Sequence, residues 1–153
     1  MSTKKEKLLI VDGHAMVFRA WFSIPERLTA NKVDTRGAYG FINTLIKSIR
    51  ENNITHIAVC FDTKAATFRD ELFPDYKAQR PPTDPNLHKQ IPIAKDLLNS
   101  LDMPVFEKDG FEADDLVGTI SSVANKNEIE CLILTGDADQ LQLVNDQTKV
   151  LMY

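Results

Sequence analysis

Leu8-Leu9-Ile10-Val11-Asp12-Gly13 is the stretch that decides the fold. Four apolar residues run without a polar break, and an acid followed by glycine stops them. An unbroken apolar run of this length predicts a strand covered on both faces, as in a parallel sheet, whereas a half-exposed strand alternates. The pattern recurs. His56-Ile57-Ala58-Val59-Cys60-Phe61 is closed by Asp62, and Glu130-Cys131-Leu132-Ile133-Leu134 is closed by Thr135-Gly136-Asp137. Residues 148–152 read as a further strand, and residues 103–106 as a short one after Pro104.

Helical patterns fill the intervals. Residues 14–22 are helical in character and close at Pro25, residues 25–36 read as a loop, and residues 37–51 place Phe41, Leu45, Ile46 and Ile49 on one side. Leu87, Ile91, Ala94, Leu98 and Leu101 mark another helix, with Asp84 as N-cap and Pro85 as its first residue. Pro92 inside it should bend or delay it. Ala113, Leu116, Val117, Ile120 and Ala124 mark a helix ending near Asn127, and residues 137–144 a short one with Leu141 and Val144 inward. Strand–helix alternation predicts an α/β, three-layer fold: a central, mainly parallel sheet with helices on both faces.

The 153 residues suffice for one domain with a sizeable core. No apolar run approaches transmembrane length. The start, Ser2-Thr3-Lys4-Lys5-Glu6-Lys7, is basic, but the apolar run after it is too short for a signal-peptide core. Cys60 and Cys131 lie in strand-like runs and read as reduced core residues of a cytoplasmic protein. Trp21 and Tyr39 read as packing residues.

The chemistry lies in the acids. Asp12, Asp62 and Asp137 each end a predicted parallel strand, and in such sheets ligand sites form outside the carboxyl ends. Phe111-Glu112-Ala113-Asp114-Asp115 puts three more carboxylates at a helix start that can face the same edge. A helix N-terminus favours negative charge, and a lone acid ending a strand is ordinarily a turn or cap residue. Three strand ends and a triple-acid helix start exceed what capping needs. A carboxylate cluster without His or Cys partners suits Mg²⁺ or Mn²⁺ and not zinc. Phosphodiester hydrolysis is the natural reaction: one ion acidifies a water, and a second, about 4 Å away, steadies the leaving oxygen. The net charge of −4 does not argue against nucleic acid, because the chain is net basic without these acids and Asp139.

Residues 63–85 differ from their surroundings, being rich in charge, aromatics and proline. They read as an exposed excursion with at most a short helix near residues 68–73. Lys64, Arg69, Lys77 and Arg80 are available to phosphates, and Tyr76 to a base. Phe68 and Phe73 are expected to dock on the core. Arg19, a turn after Asp12, can reach a phosphate near the acids. His14, His56 and His88 show no ligand spacing and receive no role.

Leu9-Ile10-Val11-Asp12-Gly13, Val59-Cys60-Phe61-Asp62, Phe68-Arg69-Asp70-Glu71, Tyr76-Lys77-Ala78-Gln79-Arg80-Pro81-Pro82, Glu112-Ala113-Asp114-Asp115 and Thr135-Gly136-Asp137-Ala138-Asp139 occur in that order. Taken together they resemble the 5′→3′ exonuclease (flap endonuclease) domain at the N-terminus of bacterial DNA polymerase I. The resemblance covers nearly the whole chain. It implies a PIN-like, resolvase-like fold that cuts 5′ flaps and removes RNA primers with divalent metal, in replication and repair. By the same resemblance, Asp12, Asp62, Glu112, Asp114, Asp115, Asp137 and Asp139 match the family's metal-binding acids. Residues 63–85 match part of a helical arch. Lys77 and Arg80 become arch cations at the scissile phosphate, and Arg19 a basic residue near it. Ala138 stands where related sequences often carry Lys, and Phe18 where Tyr is common.

The family pattern also has two later aspartates of a second metal site and a duplex-binding element, which follow position 153. Residues 1–153 are therefore expected to be the N-terminal part of such a domain, with an incomplete second metal site and little activity alone. The implied partners are DNA with a 5′ flap, nick or RNA primer, and the remainder of the polymerase chain in cis. The rival readings are a PIN-type ribonuclease, which the long excursion disfavours, and a non-catalytic DNA-binding module, which predicts no metal binding. An aspartate-nucleophile phosphatase is weaker, since no Asp-x-Asp follows the first strand.

Overall fold

The computed structural model describes residues 5–153; the basic start read at Ser2–Lys4 lies outside them. Five strands form one sheet in the order β3-β2-β1-β4-β5, with every pairing parallel. They are β1 (Lys7–Asp12), β2 (His56–Cys60), β3 (Val105–Phe106), β4 (Glu130–Thr135) and β5 (Thr148–Met152). The opening stretch is the central strand. Its side chains alternate between two buried faces, which is why it shows no polar break. Leu9 and Val11 enter the larger core with Phe41, Phe61 and Leu98, while Ile10 faces Val117 and Ile133 on the other side. Each such side chain contributes roughly 1.5–3 kcal/mol through burial.

Helices α1 (Gly13–Ser23), α2 (Arg36–Glu51) and α5 (Gln90–Ser100) cover the face of the larger core, and α6 (Ala113–Lys126) covers the opposite face. The three-layer α/β expectation holds, and the sheet is wholly parallel among the described residues. The proline prediction also holds. Asp84 accepts the Asn86 N–H at 2.8 Å and Pro85 opens the short helix α4 (Pro85–His88), which breaks at Lys89 before α5 begins. Pro92 has no N–H to give the His88 carbonyl, so the two helices do not fuse. Between β2 and α4 lies α3 (Phe68–Leu72), capped by Thr67 and Asp70. In the loop before α2, Asp34 ties the chain down by accepting from the N–H groups of Arg27 and Arg36 and from Arg36 Nε.

Several packing expectations fail. Phe73 is 66% exposed, and Phe68 leans on Phe111 (ring centroids 5.8 Å apart) without entering the core. Tyr39 lies exposed beneath the Arg27 guanidinium, whereas Trp21 is buried as expected. Leu101 falls past the end of α5 and is half-exposed. Residues 138–143 form a 3-10 helix, with Asp137 as its cap. That cap sets the phase: Gln140 turns inward and Leu143 packs against the smaller core, while Leu141 and Val144 stay half-exposed. Cys60 and Cys131 are free and buried.

Candidate acidic site at the sheet edge

Strand register sets out the site. Asp12 lies level with Cys60 across the β1–β2 pair, and Val11 lies level with Leu134 across the β1–β4 pair. Asp12 and Thr135 therefore finish their strands side by side, and Asp62 follows two residues past the end of β2. Asp12 is 3% exposed and caps α1, accepting the Ala15 N–H at 3.2 Å on Oδ1 and the Thr135 hydroxyl at 3.1 Å on Oδ2. Burial pushes its carboxyl up to about 7, and the nearby charges of Asp114 and Asp62 add to the rise.

Asp62 joins two layers. Its Oδ1 accepts the Ala113 N–H at 2.6 Å, and its own N–H donates to His14 Nδ1 at 3.1 Å. The His14 ring packs edge-on to Phe61 and tilted to Phe18, and burial lowers its basicity. Asp114 accepts from Gln140 Nε2 at 2.6 Å; burial raises its carboxyl, followed by the charge of Asp137. Asp137 accepts the Asp139 N–H and donates its own N–H to Thr135 Oγ1. Asp139 is exposed on the 3-10 helix and lines a groove of about 1050 Å³ with Glu112, Asp114 and Asp115.

Glu112 and Asp115 do different work. Together they make a capping box at the start of α6, with Asp115 accepting the Glu112 N–H at 3.0 Å. Residues 63–85 fold back onto this pair. Arg69 grips Asp115 through two bonds of 2.7 and 2.8 Å, Lys77 Nζ reaches Glu112 Oε1 at 2.6 Å, and the Tyr76 hydroxyl lies 3.3 Å from Glu112 Oε2. The Arg69 hydrogen bonds hold the Asp115 carboxyl below the usual range. Three residues expected at nucleic acid, Arg69, Tyr76 and Lys77, thus engage the acids themselves. Lys64 and Arg80 are exposed on the same excursion. Arg19 is exposed on α1, its Cβ beside Gly136 at the end of β4.

The donor set consists of hard carboxylate oxygens, and the carboxyls of Asp12 and Asp114 are both raised, first by burial and then by neighbouring carboxylates. Both suit a divalent cation. Among the described residues, no three Asp, Glu, His or Cys side chains converge tightly enough to hold an ion alone. Mg²⁺ commonly takes one or two carboxylates and keeps several waters, so the arrangement fits that ion better than an all-protein cage. Sequence reasoning overlooked His14, Thr135 and Gln140. Thr135 was signalled by its place before Gly136-Asp137; the others carried no signal until the helical phases were known.

Residues 7–153 match the family model described as the 5′-3′ exonuclease, N-terminal resolvase-like domain. The chain belongs to that family. Among curated relatives, DNA polymerase I of Mycobacterium leprae is 40% identical over 149 residues, covering 96% of this chain and 16% of the relative. DNA polymerase I of Geobacillus stearothermophilus is 38% identical over 146 residues, covering 95% and 17%. This exonuclease-family chain thus spans about a sixth of the length of the curated relatives it matches.

Among solved structures, a bacteriophage T5 protein co-crystallised with metal ions superposes with a TM-score of 0.80 at 21% identity, covering 97% of this chain and 55% of that one. A T5 flap endonuclease in a pseudo-enzyme-product complex with DNA and metal ions gives 0.74 at 21% identity, with the same coverage. At these identities the likeness establishes the shared fold. No described helix of this family member is long and apolar enough to cross a membrane.

Proposed function

We propose that the chain is the acid-bearing part of a divalent-metal-dependent 5′→3′ exonuclease and flap endonuclease, acting on DNA in replication and repair as the N-terminal portion of a DNA polymerase I. One observation carries the reading: carboxylates from four separate segments stand together at the carboxyl edge of a parallel sheet, in a chain of the 5′-3′ exonuclease family. The metal-bound and DNA-bound T5 structures of the same fold support it.

In this reading Asp12, Asp62, Asp114 and Asp137 surround a Mg²⁺ or Mn²⁺ ion, directly or through water, with Glu112, Asp115 and Asp139 at its margin. The ion would acidify a water and offset charge on the leaving oxygen. The protein supplies position and charge. Lys77 and Arg80 offer cations to the scissile phosphate, with Arg19 on the α1 side. Lys64, Arg69 and Tyr76 contact the strand along the excursion, which acts as part of an arch. The substrate is DNA with a 5′ flap, a nick or an RNA primer, the remainder of a polymerase chain completes the duplex grip in cis, and the setting is the bacterial cytoplasm at the nucleoid.

The test is cleavage of a 5′-labelled flap duplex by the chain joined to such a remainder. Mn²⁺-dependent cutting, lost in EDTA and in D114N, supports the reading. Cutting that survives D114N, or a preference for single-stranded RNA, contradicts it; the RNA preference would favour a PIN-type ribonuclease.

A further inference from the structure

Asp12, Asp62, Asp114 and Asp137 each accept a hydrogen bond from a neutral group, and the ties close into a ring. Thr135 Oγ1 donates to Asp12 Oδ2 at 3.1 Å and accepts the Asp137 N–H at 3.0 Å, linking the ends of β1 and β4. Asp137 caps the 3-10 helix that carries Gln140, and Gln140 Nε2 donates to Asp114 Oδ1 at 2.6 Å. The neighbouring Ala113 N–H donates to Asp62 Oδ1, and the Asp62 N–H donates to His14 Nδ1. His14 sits in the first turn of α1, the helix that Asp12 caps. The circuit returns to its start.

Three side chains in this ring are neither acids nor cations: His14, Thr135 and Gln140. Thr135 and Gln140 are 0% and 2% exposed. A buried glutamine is unusual on a 3-10 helix whose inward neighbour is apolar, since amide burial costs free energy unless the group is hydrogen-bonded. The hydrogen bond to Asp114 offsets that cost. His14 can accept from a backbone N–H only through an unprotonated Nδ1, so its proton resides on Nε2.

We propose that His14, Thr135 and Gln140 are positioning residues that hold Asp12, Asp62, Asp114 and Asp137 at their spacing before any ion or DNA binds. The inference rests on the metal-site reading above. The braces occupy one oxygen of Asp114 and one of Asp12, so each presents its remaining lone pairs in a fixed direction. Ion affinity then depends on groups that never touch the ion, as outer-shell partners of ligating carboxylates do elsewhere.

The experiment is calorimetric titration of Mn²⁺ alone into the 153-residue chain and the variants T135V, Q140M, H14F and H14N, with melting temperatures recorded in EDTA. Val and Met keep shape and lose the hydrogen bond. Phe loses the acceptor, while Asn places an amide oxygen near the position of Nδ1. The expectation is a fall in Mn²⁺ affinity of about 10- to 100-fold in T135V, Q140M and H14F, with H14N restoring affinity close to wild type. If H14F fails to fold, the other two variants decide the matter. Melting temperatures that shift while affinities stay at the wild-type value would mean a merely structural role and would overturn the inference. Absence of Mn²⁺ binding by the wild-type chain would instead overturn the metal-site reading on which it stands.

Discussion

Lys77 Nζ lies 2.6 Å from Glu112 Oε1, joining an exposed excursion to a helix cap that is 9% exposed. The excursion is therefore latched onto the acidic edge. The Glu112 charge is met by Lys77, by the Tyr76 hydroxyl and at longer range by Arg69. A divalent ion bound at this edge as proposed would compete for the same carboxylate. Saturating Mn²⁺ should then speed hydrogen exchange at residues 68–80 in this chain. Slower exchange there would mean that the ion tightens the latch.

Arg69 and Asp115 meet through a two-bond fork that a lysine cannot reproduce. R69K should lower stability by about 1 kcal/mol in urea denaturation, because the fork is part-buried and Asp115 also holds the Glu112 N–H. A loss indistinguishable from that of an exposed arginine elsewhere would show the fork to be incidental.

Asp12 gives the chain a defined pH response. Its folded-state carboxyl stands at about 7 against an ordinary 3.8, mainly because it is buried. The folded state holds this proton more tightly than the unfolded state does. The associated stability is therefore present below pH 4 and lost as pH rises toward 7. D12N should raise the metal-free melting temperature at pH 8, by on the order of 2–4 kcal/mol in stability terms, with no gain at pH 4. Divalent ions must displace the same proton, so Mn²⁺ affinity should fall between pH 8 and pH 5.5. Equal effects of D12N at both pH values would contradict this assignment.

Gly13 follows Asp12 because nothing larger fits. A Cβ there would stand 2.5 Å from the Phe61 ring, which is fully buried and precedes Asp62. Overpacking of this kind costs typically about 1–3 kcal/mol. G13A should destabilise by that amount in thermal melts and weaken Mn²⁺ binding by displacing Asp62. A stable G13A with intact Mn²⁺ affinity would show that Phe61 yields freely.

Much of this architecture was legible in the sequence because apolar runs and terminal acids are local signals. Leu8–Val11 declared a two-faced strand, and Asp12, Asp62 and Asp137 declared a shared edge once the sheet was parallel. The braces were not legible. Gln140 reads as a surface residue until Asp137 fixes the phase of a 3-10 helix, and His14 has no partner in sequence because the Asp62 N–H arrives from another strand. The inward turn of Arg69 and Lys77 was hidden for a related reason: cations in a polar excursion read alike whether they face phosphates or carboxylates. Tyr39 and Phe73 misled through their chemistry, since aromatic rings suggest burial but also shelter under a guanidinium or remain exposed just past a helix end.

The central claim is that the carboxyl edge of this sheet takes up a divalent cation. Mn²⁺ titration of the 153-residue chain at pH 8, followed by electron paramagnetic resonance of the free ion, tests it most directly with D114N as the comparison. Saturable uptake by the wild-type chain that D114N abolishes or severely weakens is the predicted result. Equal uptake by both, or none by either, would contradict it.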